Sequence, residues 1–356
     1  MASCPAETLA RCASTPRPVE ANPDIAGIGV IVSFFSTTCL AVFLATVILF
    51  LDRLSTLVDR ARSVRRFNLR HLERKSFWIS GLSKILLGLN DSQLFTGTAV
   101  QIVAIIQHCT ISVYHFRIVT ELAFLSTVTH LITLLVLEGY FIKDKKSNIP
   151  RVLVMLINLA LLGYTSWNGY AFEMSSSTAV KSSLIACFSG ARRPRLGPAF
   201  YARWTILLLL SILGHCSVFM QMYIPRDVCQ GRPGLARISY WLRDCRLFTL
   251  MPAYTIYGLV NGGRVLWRTQ ALRKADVPIT GSEQDWGFGQ ILAMLLLGLT
   301  LLPGWEVFSQ YEFLNFRVLK MLTLLRLQEE IREIHGLRPR EQNPPMESID
   351  ELRDQS

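Results

Sequence analysis

Seven stretches of this chain carry no formal charge over lengths that a water-facing helix does not tolerate: residues 25–51, 92–116, 122–137, 152–172, 204–225, 247–263 and 287–305. Crossing about 30 Å of hydrocarbon takes roughly 20 apolar residues at about 1.5 Å each, and most of the runs reach that length. The two shorter ones, 122–137 and 247–263, gain length from flanking residues such as Glu121 and Arg264, which snorkel or face protein. Unpaired backbone amides are costly in lipid, and the sequence lacks the alternating ten-residue segments of a barrel, so the spans read as helices. The expected fold is all-α: a polytopic membrane protein of about seven transmembrane helices plus an amphipathic C-terminal helix.

Charge then orients the bundle. Only 18% of the chain is charged, yet its net charge is +11. In a soluble protein that surplus would raise nucleic acid as a partner; here the cations sit mostly in short loops, as the positive-inside rule requires, and no nucleic acid is expected. Arg53, Arg60, Arg62, Arg65, Arg66, Arg70, Arg74 and Lys75 follow the first run, and Lys143, Lys145, Lys146, Arg151, Arg226, Arg232, Arg237 and Arg243 fall on the same side. The N-terminus is then lumenal or outside and the C-terminus cytosolic, with the endoplasmic reticulum as the expected membrane. Arg192, Arg193 and Arg195, and again Arg268, Arg273 and Lys274, run against this scheme.

Residues 1–24, with Pro5, Pro16, Pro18 and Pro23 and no apolar core, read as a lumenal segment and not as a cleavable signal peptide. Residues 25–310 form the seven-helix domain, 311–335 an amphipathic surface helix and 336–356 a disordered cytosolic tail. Residues 77–89 read as an interfacial helix ahead of the second span, which Asn90 or Ser92 caps. Cys4, Cys12 and Cys187 share the oxidising side, with the disulfide pairing left open. No CxxC spacing marks a metal site.

Polar side chains within spans are costly, so their arrangement is informative. In the second span Asp91, Thr98, Gln101 and His108 make one broad stripe at about 100° per residue. In the third, Tyr114, Arg117 and Glu121 share a face, the last two at the spacing of an ion pair. His115, Ser126 and His130 form a second face. A helix polar on two sides belongs in the bundle interior, with the second span turning its stripe toward it around a polar pocket. The plainer alternative makes Thr98, Gln101, Thr120 and Ser126 interhelical hydrogen-bond partners and the Arg117–Glu121 pair structural. There is no Walker loop, GxSxG, HExxH, DDxxD, NxxxD or DxDD, so neither a metal nor a nucleotide cofactor is expected.

Four stretches carry a likeness: Asn-Pro-Asp-Ile-Ala-Gly-Ile-Gly-Val (22–30), Gly-Leu-Asn-Asp-Ser-Gln-Leu-Phe-Thr-Gly (88–97), Ile-Ser-Val-Tyr-His-Phe-Arg-Ile-Val-Thr (111–120) and Leu-Ser-Thr-Val-Thr-His-Leu (125–131). Together they resemble a family of fungal multi-span membrane proteins encoded beside secondary-metabolite genes, and through it the membrane-bound terpene cyclases of ascofuranone and macrophorin biosynthesis. The likeness runs from Asn22 to about Trp305.

It implies acid-initiated closure of a prenyl chain, with an olefin or terminal epoxide protonated in an apolar pocket. Glu121 is then the first candidate for the acid and Asp91 the second, while His115 and His130 relay the proton or remove the last one. Tyr114 offers its ring to cationic charge, and Arg117, Gln101 and His108 complete the substrate site. A carboxylic acid desolvated between helices holds its proton, whereas an ion pair with Arg117 works against that role. The implied partner is a lipid-soluble prenylated small molecule entering from the membrane, with other pathway enzymes as candidate neighbours. A seven-helix receptor or transporter and a non-catalytic scaffold remain open alternatives.

Overall fold

In the computed structural model the described residues are 4–6, 8, 12, 17–62, 69–173, 178–188, 197–223, 245–309 and 327–328. Their long helices are α1 (Ile28–Arg62), α2 (Leu69–Ile106), α3 (Val113–Val136), α4 (Lys145–Glu173), α5 (Pro198–Tyr223), α6 (Met251–Leu266) and α7 (Phe288–Leu299). One compact unit holds everything up to Trp305, and a second begins at Glu306. The expected amphipathic helix at 311–335 and the tail at 336–356 lie outside the described residues, apart from 327–328, as do Arg65, Arg66, Arg192, Arg193, Arg195, Arg226, Arg232, Arg237 and Arg243.

Helix α3 is the axis of the bundle, packed by α1, α2, α4, α5 and α6. Every residue from Val113 to Leu135 is buried except Arg117. A helix with polar groups on two faces has no face to offer lipid, so its neighbours must enclose it. Those neighbours turn their own apolar side chains outward: Phe43 is 63% exposed, Ile106 72% and Ile256 63%. Exposed apolar surface on that scale marks a membrane-facing protein.

Among the described residues five segments are long and apolar enough to cross a membrane: Pro23–Arg53, Val113–Val136, Lys146–Gly169, Phe200–Met220 and Phe288–Ser309. The other two expected spans are helical but fall short. Helix α2 carries Lys84 and Asp91 among many amides and hydroxyls, and α6 has 16 residues, preceded by a π-helical turn at Arg246–Leu250.

Two expectations need correction. The interfacial helix at 77–89 and the second span are one continuous helix, Leu69–Ile106, and neither Asn90 nor Ser92 caps anything. Within the continuous helix Asn90 Nδ2 donates to Asp91 Oδ1 at 3.1 Å, and the nearby Gln93 Nε2 donates to the Phe34 carbonyl at 2.7 Å. Nor do Thr98 and Gln101 in the stripe of α2 face a pocket; of that stripe, Asp91 lines a cavity, with Leu135 of α3 beside it. Helix α4 fills the space at Thr98 and Gln101: Asn158 donates to Thr98 at 3.0 Å and accepts from Thr127 at 3.2 Å, while Thr165 donates to Gln101 at 3.0 Å.

Close approach at two glycines sets the helix spacing. A Cβ on Gly29 would stand 2.8 Å from Gln290 Cβ, and the Gly29 amide donates to Gln290 Oε1 at 2.8 Å. With Asp24 Oδ1 accepting from the Gly289 amide at 3.1 Å, the 22–30 stretch serves as the seat of α7. A Cβ on Gly97 would meet Ser126 at 2.5 Å.

One end of the bundle is tied together covalently. Cys4 bonds Cys109 and Cys12 bonds Cys187. Strand β1 (Val19–Glu20) pairs in parallel with β2 (Ile279–Thr280), and Ser112 bridges Leu184. The N-terminal segment, the α2–α3 turn, residues 178–188 and the α6–α7 connection therefore meet at a single end.

Candidate functional site

The best-defined polar constellation forms at this disulfide end. Ser112 caps α3, its Oγ accepting the His115 amide at 3.1 Å. That cap holds the first turn so that Tyr114 and His115 reach the same carboxylate. His115 Nε2 lies 3.0 Å from Glu283 Oε1, and the Tyr114 hydroxyl donates to Oε2 at 3.1 Å. On the other side of the ring Nδ1 lies 2.9 Å from the Ser112 hydroxyl. Glu283 is fully buried, and its own amide donates to Gln270 Oε1 at 2.8 Å. Ser112 and His115 also line a polar cleft of ≈ 530 Å³ with Arg17, Glu20 and Gln107. Sequence reasoning missed Glu283, because an acid beside Ser282, Gln284 and Asp285 has the pattern of a solvated loop.

Glu121 lies deeper on α3 and is fully buried. One turn earlier, partly exposed Arg117 borders a hollow of ≈ 10 Å³ with Tyr114, Lys181, Arg268 and Asp276, room for about one water. His108 falls in the turn after α2, beside the Cys4–Cys109 disulfide, with Nδ1 3.1 Å from the Ile105 carbonyl. Gln101 is taken up in the α2–α4 contact.

His130 sits in the interior, its ring 5.1 Å from that of His215 on α5 and steeply inclined to it. His215 Nδ1 donates to the Ser211 carbonyl at 2.7 Å, so Nε2 carries the lone pair. That Nε2, both nitrogens of His130 and the hydroxyl of Thr255 are buried without hydrogen-bond partners among the described residues, while the Tyr254 hydroxyl has that of Ser211 beside it. Each such group costs about 1–3 kcal/mol. Sequence spacing could not show this grouping, because it draws on three helices far apart in the chain.

Asp91 lies at the opposite end of the bundle. Arg151 Nε is 2.9 Å from both of its oxygens and Nη2 is 2.9 Å from Oδ2. Arg151 also donates to Asn148 Oδ1 at 2.8 Å and reaches the Tyr140 hydroxyl at 3.5 Å. Asp91, Tyr140 and Arg151 line a cavity of ≈ 900 Å³ together with Asp52, Arg53 and Lys84 and with apolar residues that include Leu49, Leu87 and Leu135. No protein family, curated protein or solved structure matches the chain.

The expected site residues thus fall at three levels. Tyr114 and His115 are brought together around Glu283. Glu121 and His130 are buried further along the same helix, and Asp91 alone among the expected acids lines a cavity of ligand size.

Proposed function

We propose that the chain is a seven-span enzyme of the endoplasmic reticulum membrane, with the disulfide end lumenal, that closes a prenyl chain by protonation in the manner of the terpene cyclases it resembles. The alternating course of α1 to α7 between the two ends favours seven crossings. α6 gains its missing length from the π-helical turn, and α2 sets Lys84 and Asp91 in the lining of one cavity.

The observation that carries the reading is the cavity of ≈ 900 Å³ that joins an apolar stretch of wall to the Asp91–Arg151 pair, with Asp52, Arg53 and Lys84 also in its lining. A cavity of that size accommodates a prenylated phenol. It shifts the role of acid from Glu121 to Asp91, because a proton donor has to reach the substrate. The acidic head of the substrate docks on Arg151, drawing it from Asp91 and leaving that carboxyl to carry the proton. Asp91 then protonates the terminal epoxide oxygen, the carbon–oxygen bond opens toward the more substituted carbon, and the neighbouring olefin supplies the electron pair that closes the ring. The final cation loses one proton to the Asp91 carboxylate, so the product is an isomer of the substrate. The Tyr140 ring borders the same space and can face cationic charge.

Microsomes carrying the protein and fed epoxyfarnesyl phenols test this directly. Cyclised product is expected from the wild type and from Glu121→Gln, and none from Asp91→Asn. Unchanged substrate across a broad panel removes the enzyme reading, and loss of product in Glu121→Gln alone returns the acid to α3.

A further inference from the structure

Among the described residues, the cations that run against the positive-inside pattern are not scattered. Arg268, Arg273 and Lys274 converge with Lys181 and Arg264 on one open cleft of ≈ 950 Å³ at the disulfide end. They arrive from three segments: the short helix Thr178–Ser182, the last turn of α6, and the connection that follows it. Asp276 is the single carboxylate in the lining, 3.3 Å from Lys181 Nζ and 3.7 Å from Arg268 Nη1. Arg264, Arg273 and Lys274 are exposed and have no carboxylate partner among the described residues.

Five cations facing one carboxylate repel one another, and the repulsion is relieved when a multiply charged anion enters. The cleft has a firm floor. Lys181 and Asp276 are only about a fifth to a quarter exposed, and residues 183–185 are hydrogen-bonded to the start of α3. Its position also suits a membrane surface. Trp267, 56% exposed, stands in the lining, and the outward apolar side chains Val260 and Ile256 of α6 lead away from it. Indole at that level marks the headgroup zone of a bilayer.

We propose that this cleft binds a phosphate-bearing anion, supplied by an anionic phospholipid headgroup of the adjoining leaflet, with Asp276 presetting Lys181 and Arg268 and the three cations without a carboxylate partner closing on the phosphate. Guanidinium forks fit phosphate oxygens in pairs, and two of the three unpartnered cations are arginines. The proposal holds whether or not the bundle is catalytic, since the cleft shares no residue with the Asp91 cavity.

Native mass spectrometry of the detergent-purified full chain, with phosphatidic acid and phosphatidylcholine at equal concentration, reads the site. Wild type should retain phosphatidic acid in preference, and the triple variant Arg264→Gln/Arg273→Gln/Lys274→Gln should bind it about a hundredfold more weakly. Retention by the wild type should also fall as salt rises, a reading that needs no variant. Inorganic pyrophosphate alone separates the sources: if it raises the melting temperature of wild type but not of the triple variant, the same cleft takes a soluble anion. Equal retention of both lipids with no effect of pyrophosphate, a salt-independent preference, or a triple variant that binds like wild type overturns the proposal.

Discussion

His115 Nε2 and Glu283 Oε1 stand 3.0 Å apart although 168 residues separate them, and the carboxylate is fully buried. The contact fastens the connection between α6 and α7 onto the first turn of the central helix. It makes the disulfide end a built structure and not a set of loose loops.

Removing that carboxylate should therefore loosen the end of the bundle. Glu283→Ala leaves the Tyr114 hydroxyl and His115 Nε2 without an acceptor and should lower stability by about 3 kcal/mol. Glu283→Gln, which keeps one acceptor oxygen, should lose less. Thermal melting of the two variants in detergent orders them, and an alanine variant as stable as wild type would show that the contact holds nothing.

The histidine pair makes a prediction of opposite sign. His130→Phe replaces a buried ring with two unpartnered nitrogens by a ring of similar shape, and stability should be unchanged or higher by about 1 kcal/mol. A loss of several kcal/mol in the same melting assay would show that His130 and His215 hold a polar group between them.

In the proposed orientation the two disulfides, Cys4–Cys109 and Cys12–Cys187, lie in the oxidising lumen. In intact microsomes a maleimide reagent should leave these four cysteines unmodified until dithiothreitol is added. Replacing Cys12 and Cys187 by serine should cost about 2–4 kcal/mol. Modification of all four thiols without reductant would place this end in the cytosol and reverse the proposed orientation.

Helix spacing at Gly97 can be tested against a permissive site. Gly97→Val drives a Cβ to 2.5 Å from Ser126, whose hydroxyl also donates to the Gln93 carbonyl at 2.7 Å, and should cost about 2–3 kcal/mol. Gly298→Ala, with nothing within 4 Å of the added carbon, should be neutral or mildly stabilising. Equal melting temperatures for the two would mean that α2 and α3 are not in tight contact there.

The sequence by itself determined that the chain is helical and built for a membrane, because charge-free runs of that length have no other stable state. It also marked α3 as interior: a helix with polar residues on two faces cannot turn either one to lipid, and the burial of nearly all of Val113–Val136 follows from that. The polar stripe of α2 was legible too, but its partner was not, since Asn158 and Thr165 on α4 look in sequence like ordinary helix residues.

Only the tertiary structure decided what each polar group meets. Asn90 and Ser92 carry the local signature of a cap, yet the helix continues through them, since Asp91 and Gln93 beside them are engaged by Arg151 and by the Phe34 carbonyl. Glu283, His215 and the basic cleft are assembled from segments far apart in the chain. Hydrophobic periodicity is a local property, which neighbouring residues can express. Hydrogen-bond partnership and charge convergence depend on which distant segments share a space, and only packing of the bundle fixes that.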